Sequence, residues 1–199
     1  MSAPRTPDHP IDPLFTNRWS PRAFAGTALP EHALLSLLEA ARWAPSSYNA
    51  QPWRFVYARR DTAAWAPIFA SLVEFNQGWA QHAAALVVVI SAEQAVFPGA
   101  EAAVPNASHA FDAGAAWASL AFQATLSGWA AHAMAGFDAE ALQSAIGLPE
   151  GYVIHAVVAI GRPGDKTALP DYLQPMEQPS GRKPLGALAA EGRFGSSVA

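Results

Sequence analysis

Two arginines flank a tryptophan, a serine and a proline in Arg18-Trp19-Ser20-Pro21-Arg22. Two guanidinium groups and a hydroxyl this close together can converge on a phosphate, because the planar guanidinium fork donates bidentately to an oxyanion. Isolated arginines are more often solvated at the surface, so the cluster needs support from elsewhere in the chain. A second group, Ala44-Pro45-Ser46-Ser47-Tyr48-Asn49-Ala50-Gln51-Pro52-Trp53, places two serine hydroxyls and two side-chain amides between two prolines. Such a run can read the edge of a flat heterocycle, or it can be a turn-rich connector that caps itself. Three further groups stand apart from these. Asn76-Gln77-Gly78-Trp79-Ala80-Gln81-His82 precedes an apolar run, and Ala135-Gly136-Phe137-Asp138 sits where a helix starts. Gly136 would let a backbone N–H approach a ligand closely. Gly181-Arg182-Lys183-Pro184-Leu185 is a second basic cluster, whose plain reading is a solvated patch.

Composition limits what these groups can serve. With 12 basic against 16 acidic residues and a net charge of −4, the chain lacks the cationic excess of a nucleic-acid binder. The absence of cysteine excludes disulfides, thiolate metal sites and redox dithiols, so a redox enzyme of this sequence must place its electrons on a bound cofactor. The histidines are scattered without an HExxH pair, and no P-loop or GxGxxG run occurs. His109 and His132 are the two that could line a substrate face. Residues 1–13 lack the apolar core of a secretory signal, and the apolar run 83–90 is far shorter than a bilayer span. A soluble, cytoplasmic protein with no membrane partner is the expectation.

The elements that must carry these residues follow from periodicity. Leu34, Leu37, Leu38 and Ala41 recur at helical spacing after Pro30 and predict an amphipathic helix over 30–43. Residues 54–58 read as a short strand, Asp61 as the cap of a helix running to about Phe75, and 85–91 as a buried strand. The stretch 92–107 has no period and reads as a loop over a site. Residues 108–129 are small or apolar around most of a helix and predict a buried one that a second backbone can approach closely. Asp138 starts a short helix ending near Gly147, 152–160 is the last strand, and 161–199 is an extended tail rich in Pro and Gly. One α/β domain over 1–199 is predicted, with 1–13 flexible.

Taken in order, the RxSxR run, the PSSxNxQPW block after the first amphipathic helix, an Asn before a strand, GFD before a short helix and a late RxP resemble the nitroreductase family. The resemblance spans roughly Arg18 to Leu185 and is most specific in APSSYNAQPWRF. It implies an α+β nitroreductase-like fold, a central mixed sheet flanked by helices, with the C-terminal tail crossing to a dimer partner. It implies FMN as cofactor: Arg18, Ser20 and Arg182 on the phosphate, with Trp19 acting through its backbone. Arg22 falls near the flavin pyrimidine edge or the ribityl chain. Pro45, Ser46, Ser47, Asn49 and Gln51 belong to the block that reaches the flavin of the neighbouring subunit. Asn76 falls at the ring system, and Ala135 and Gly136 beside flavin N5. The chemistry would then reside on FMN, with no catalytic side chain and no metal. NADH or NADPH would deliver hydride to N5 in alternation with a small oxidised acceptor such as a nitroaromatic or quinone. Enone reduction, dehalogenation and flavin breakdown are alternatives on the same fold, and a non-catalytic FMN-binding protein is another. Relatives often carry a basic residue where this chain has Trp79 and a polar one where it has Trp19, and both tryptophans bear on substrate choice.

Overall fold

A strand that is apolar on both sides must be covered on both sides, and this molecule is built around one. The computed structural model describes residues 5–195. Its elements are α1 (Pro13–Asn17), α2 (Glu31–Arg42), β1 (Trp53–Arg59), α3 (Trp65–Ala70), α4 (Glu74–Ala80), β2 (Ala85–Ala92), β3 (Gln94–Ala95), β4 (Val104–Pro105), α5 (His109–Leu126), β5 (Ala130–Met134), α6 (Ala139–Ile146) and β6 (Tyr152–Gly161). The main sheet runs β1-β2-β6-β5, and its three pairings are antiparallel.

Successive residues of β2 face opposite layers. Leu86, Val88 and Ile90 join Ile68, Trp79 and Leu142 from α3, α4 and α6. Val87 and Val89 join Leu34, Leu37, Leu120 and Ala124 from α2 and α5. The central sheet flanked by helices is therefore as the sequence implies. Helix α5 buries Ala113, Ala116, Leu120 and Ala124, yet Phe111 and Leu126 remain 83% and 67% exposed. It is apolar beyond the face that its own chain covers.

Two features depart from the sequence reading. The helix expected from Asp61 to Phe75 is two shorter helices, and Asp61 lies in a turn at φ +66 rather than at a cap. The chain leaves α3 because Leu72 bridges Phe137, Val73 N–H donates to the Gly136 carbonyl at 3.1 Å, and Asp138 N–H donates to the Ser71 carbonyl at 2.7 Å. These tertiary bonds replace a helical turn. Strand β5 was not foreseen, since Ala-Ala-His-Ala-Met has little strand propensity and its edge position comes from pairing with β6. The stretch 92–107 contains the small β3–β4 pair. Helix α6 starts and stops as expected, with Asp138 Oδ1 accepting from Ala141 N–H and Gly147 closing it in the left-handed conformation.

Candidate cofactor site

The site grows outward from β5 and α4. Arg18 and Ser20, on the segment leaving α1, face a cavity of about 310 Å³ shared with Trp117, Ala118, Ala121 and Phe122 of α5 and with His132 and Ala133 of β5. Arg18 Nη1 donates to Ser20 Oγ at 3.3 Å. Burial lowers the proton affinity of Arg18, and the nearby Arg182 and Arg5 lower it further. Arg182, far away in sequence, lines a neighbouring cavity with Arg5, whose Nη1 donates to the Arg18 carbonyl. No carboxylate among the described residues pairs with any of these three arginines. Such a cation cluster is suited to a phosphate.

His132 connects this cluster to α4. Its Nδ1 lies 3.0 Å from the Pro21 carbonyl, which accepts the proton there. The ring packs on Trp79 at 4.6 Å. Burial pulls its pKa from 6.5 to about 4, opposed by the Pro21 carbonyl and reinforced by Arg22 and Arg18. The imidazole is thus neutral at pH 7. Trp79 is fully buried, with the Arg22 guanidinium 6.0 Å from its ring. It does not reach the surface of this chain, and its ring packs on His132, Arg22 and Phe24. Arg22 Nε is buried without a partner, while the Arg22 and Ala23 N–H groups both donate to Glu177 Oε1 at 2.8 Å.

One helical turn before Trp79, Asn76 donates from Nδ2 to the Gly136 carbonyl at 2.9 Å and is buried. Arg18, Ser20, Arg22, Asn76, Gly136 and Arg182 thus form one connected region, with Ala135 exposed beside Gly136 and Trp19 half-buried between Arg18 and Ser20. A cation cluster at one end and an amide and a glycine backbone at the other suit an elongated phosphorylated ligand with a flat polar head. These residues fit FMN.

The PSSYN block lies elsewhere. Ser47 N–H donates to Asp112 Oδ2 at 3.2 Å, and the Ser108 hydroxyl donates to the same oxygen at 2.9 Å, which ties the block to the first turn of α5. Tyr48, Asn49 and Gln51 hold φ values of +49, +56 and +48, and Ser46 Oγ accepts from Gln51 N–H. Pro45 is exposed, and Tyr48 packs on Phe97 of the 92–107 stretch at 5.6 Å. The α5 residues that line the arginine cavity, Trp117 to Phe122, begin more than one helical turn beyond Asp112, and none of the block's residues lines that cavity. One chain does not bring the two together.

Sequence reasoning missed Arg5, Asp112 and Glu177. Asp112 had a signal, being the lone carboxylate in the apolar 108–129 helix. His109 is not in the arginine cavity. Its Nδ1 lies 2.7 Å from the buried Ser91 hydroxyl, which also lies 2.6 Å from His155 Nε2. His155 is aimed there by the register shift opposite Val89 and Ile90. Among the described residues no three His, Asp or Glu side chains gather as a metal site, and no helix is long and apolar enough to cross a membrane.

A fold of this topology with this arrangement defines the nitroreductase class, and the chain belongs to the nitroreductase family, whose family model matches residues 15–162. A solved oxidoreductase containing FMN is 46% identical, with a TM-score of 0.93 over 99% of this chain and 100% of that one. An NADH dehydrogenase of Thermus thermophilus is 29% identical over 188 residues, covering 81% of this chain and 90% of that protein. A protein from Exiguobacterium sibiricum solved in complex with FMN shares the fold at TM-score 0.74 and 21% identity, over 93% of this chain and 99% of that one.

Proposed function

We propose that this protein is an FMN-dependent oxidoreductase that takes hydride from NADH or NADPH and passes it to an electron-poor acceptor such as a nitroaromatic or quinone. It works as a homodimer in the cytoplasm. The observation that carries the reading is the gathering of Arg18, Ser20 and Arg182, without an ion pair among the described residues, at one end of a region that ends in Asn76 and Gly136. The similar FMN-containing oxidoreductase supports it. Bound FMN supplies the two-electron chemistry.

The chain's own residues hold and tune. Arg18, Ser20 and Arg182 take the phosphate, with Trp19 contributing its backbone. Arg22, backed by Trp79, places a positive charge near the pyrimidine edge, where reduction adds negative charge. Asn76 and the Ala135–Gly136 backbone face the hydride-accepting end. The block of Pro45, Ser46, Ser47, Asn49 and Gln51, which does not line its own chain's arginine cavity, completes the site of a second copy. The bare apolar face of α5 gives that copy a surface to bury.

Purified protein is expected to be yellow and to release FMN on denaturation. Either nicotinamide should bleach it without oxygen, and steady-state turnover with a quinone should give parallel double-reciprocal lines. If neither NADH nor NADPH bleaches the bound flavin, the oxidoreductase reading loses to flavin binding alone. Replacing Arg182 with Ala should raise the Kd for FMN about tenfold or more, since a hydrogen bond to a charged group is worth roughly 1.5–3 kcal/mol. Flavin fluorescence titration of the apo-protein measures this, and an unchanged Kd would remove Arg182 from the site.

A further inference from the structure

Arg5 stands upstream of every residue placed in the site so far. Its Nη1 donates to the Thr16 carbonyl at 2.6 Å and to the Arg18 carbonyl at 2.9 Å, tying the end of α1 to the first arginine of the cluster. Its Nη2 and Nε make no hydrogen bond among the described residues. Arg5 and Arg182 line one cavity together with Thr16, and the Arg5 bond to the Arg18 carbonyl joins Arg18 to it, so three guanidinium groups share one patch. Asp8, the acid nearest Arg5 in the chain, is engaged by Leu185 N–H at 2.7 Å and forms no ion pair with them. Asp8 lines the same cavity as Arg5 and Arg182, yet three guanidinium groups against one carboxylate leave an excess of positive charge, and a multiply charged anion relieves it.

We propose that Arg5 is the third cation of the phosphate site, holding Arg18 in place through its Nη1 bonds and adding its own charge toward the phosphomonoester. The proposal rests on the FMN reading above. It assigns Arg5 a share in selecting a phosphorylated flavin over riboflavin, because riboflavin offers no dianion for the third charge. Arg5 is half-buried whereas Arg182 is exposed, so water screens the charge of Arg5 no more than that of Arg182.

The test titrates apo-protein with FMN and with riboflavin in parallel, for wild type, Arg5→Ala and Arg5→Lys, at two salt concentrations. Arg5→Ala should weaken FMN about three- to tenfold, leave riboflavin within about twofold, and flatten the salt dependence of FMN binding. Arg5→Lys should recover part of the loss, because it keeps the charge and not the fork. Inorganic phosphate should raise the melting temperature of apo wild type more than that of Arg5→Ala. Equal weakening of FMN and riboflavin would mean that Arg5 only supports the fold there, and no weakening of either would mean that it lies outside the site. Both results overturn the proposal. Wild-type protein that binds neither flavin would overturn the FMN reading itself, a result distinct from those two.

Discussion

Replacing Gly136 with alanine is expected to destabilise the protein by about 1–3 kcal/mol and to strip it of flavin, as overpacking a tight site does. A Cβ at this position would meet Asn76 Nδ2 at 2.8 Å and Val73 Cγ2 at 2.8 Å. Val73 is partly exposed and its methyl can turn away, but Asn76 is not free to retreat. Asn76 is buried with its amide on the Gly136 carbonyl, and Val73 N–H donates to that same carbonyl. The added methyl must therefore break the contact that joins α4 to the end of β5, and that contact orients the Asn76 amide. Gly78 is the control, because a Cβ there meets nothing within 4 Å. Gly78→Ala lies inside α4 and should be neutral or stabilising by up to about 1 kcal/mol. Denaturant midpoints and flavin content measure both variants. A Gly136→Ala protein with wild-type midpoint and full flavin would refute the close packing drawn for this corner.

Acidification should cost the protein up to about 3 kcal/mol through His132 alone, since one pKa unit corresponds to about 1.4 kcal/mol. The sign follows from where the proton binds. Unfolded, His132 takes a proton near its ordinary 6.5; folded, burial against Trp79 and the cations Arg22 and Arg18 hold it at about 4. Between these values the unfolded chain binds the extra proton, so stability is full above pH 6.5 and falls as pH drops toward 4. His155 is lowered by burial and by His109 and adds loss of the same sign. The decisive comparison is therefore His132→Phe against wild type. The variant should be less stable at pH 7, since the Pro21 carbonyl loses its donor, and its stability should fall less on acidification. Parallel pH curves for the two proteins would show that His132 is not the buried neutral group described.

Much of the fold is local enough to be legible. The two-sided apolar run of β2, the helical spacing of Leu34, Leu37 and Ala41, and the Asp138 and Gly147 caps of α6 are patterns of a few residues, and those elements appear where the patterns place them. The break between α3 and α4 was not legible, because it is enforced by backbone bonds to Gly136 and Asp138, which lie beyond β2 and α5 in the chain. Strand β5 was hidden for a related reason: an alanine-rich edge strand is defined by its partner β6 more than by its own residues.

The candidate site divides in the same way. The types and order of its residues, from Arg18 through the PSSYN block to Arg182, are written in the chain, and they determine the family. Tertiary structure alone decided that Arg5 joins Arg18 and Arg182, that Trp79 is buried beneath Arg22 and His132, and that the PSSYN block is held by Asp112 outside the arginine cavity. Spacing along a chain encodes which residues share a helix face or a strand edge. It does not encode which segments more than a hundred residues apart converge, because that is set by how two faces of one sheet are covered.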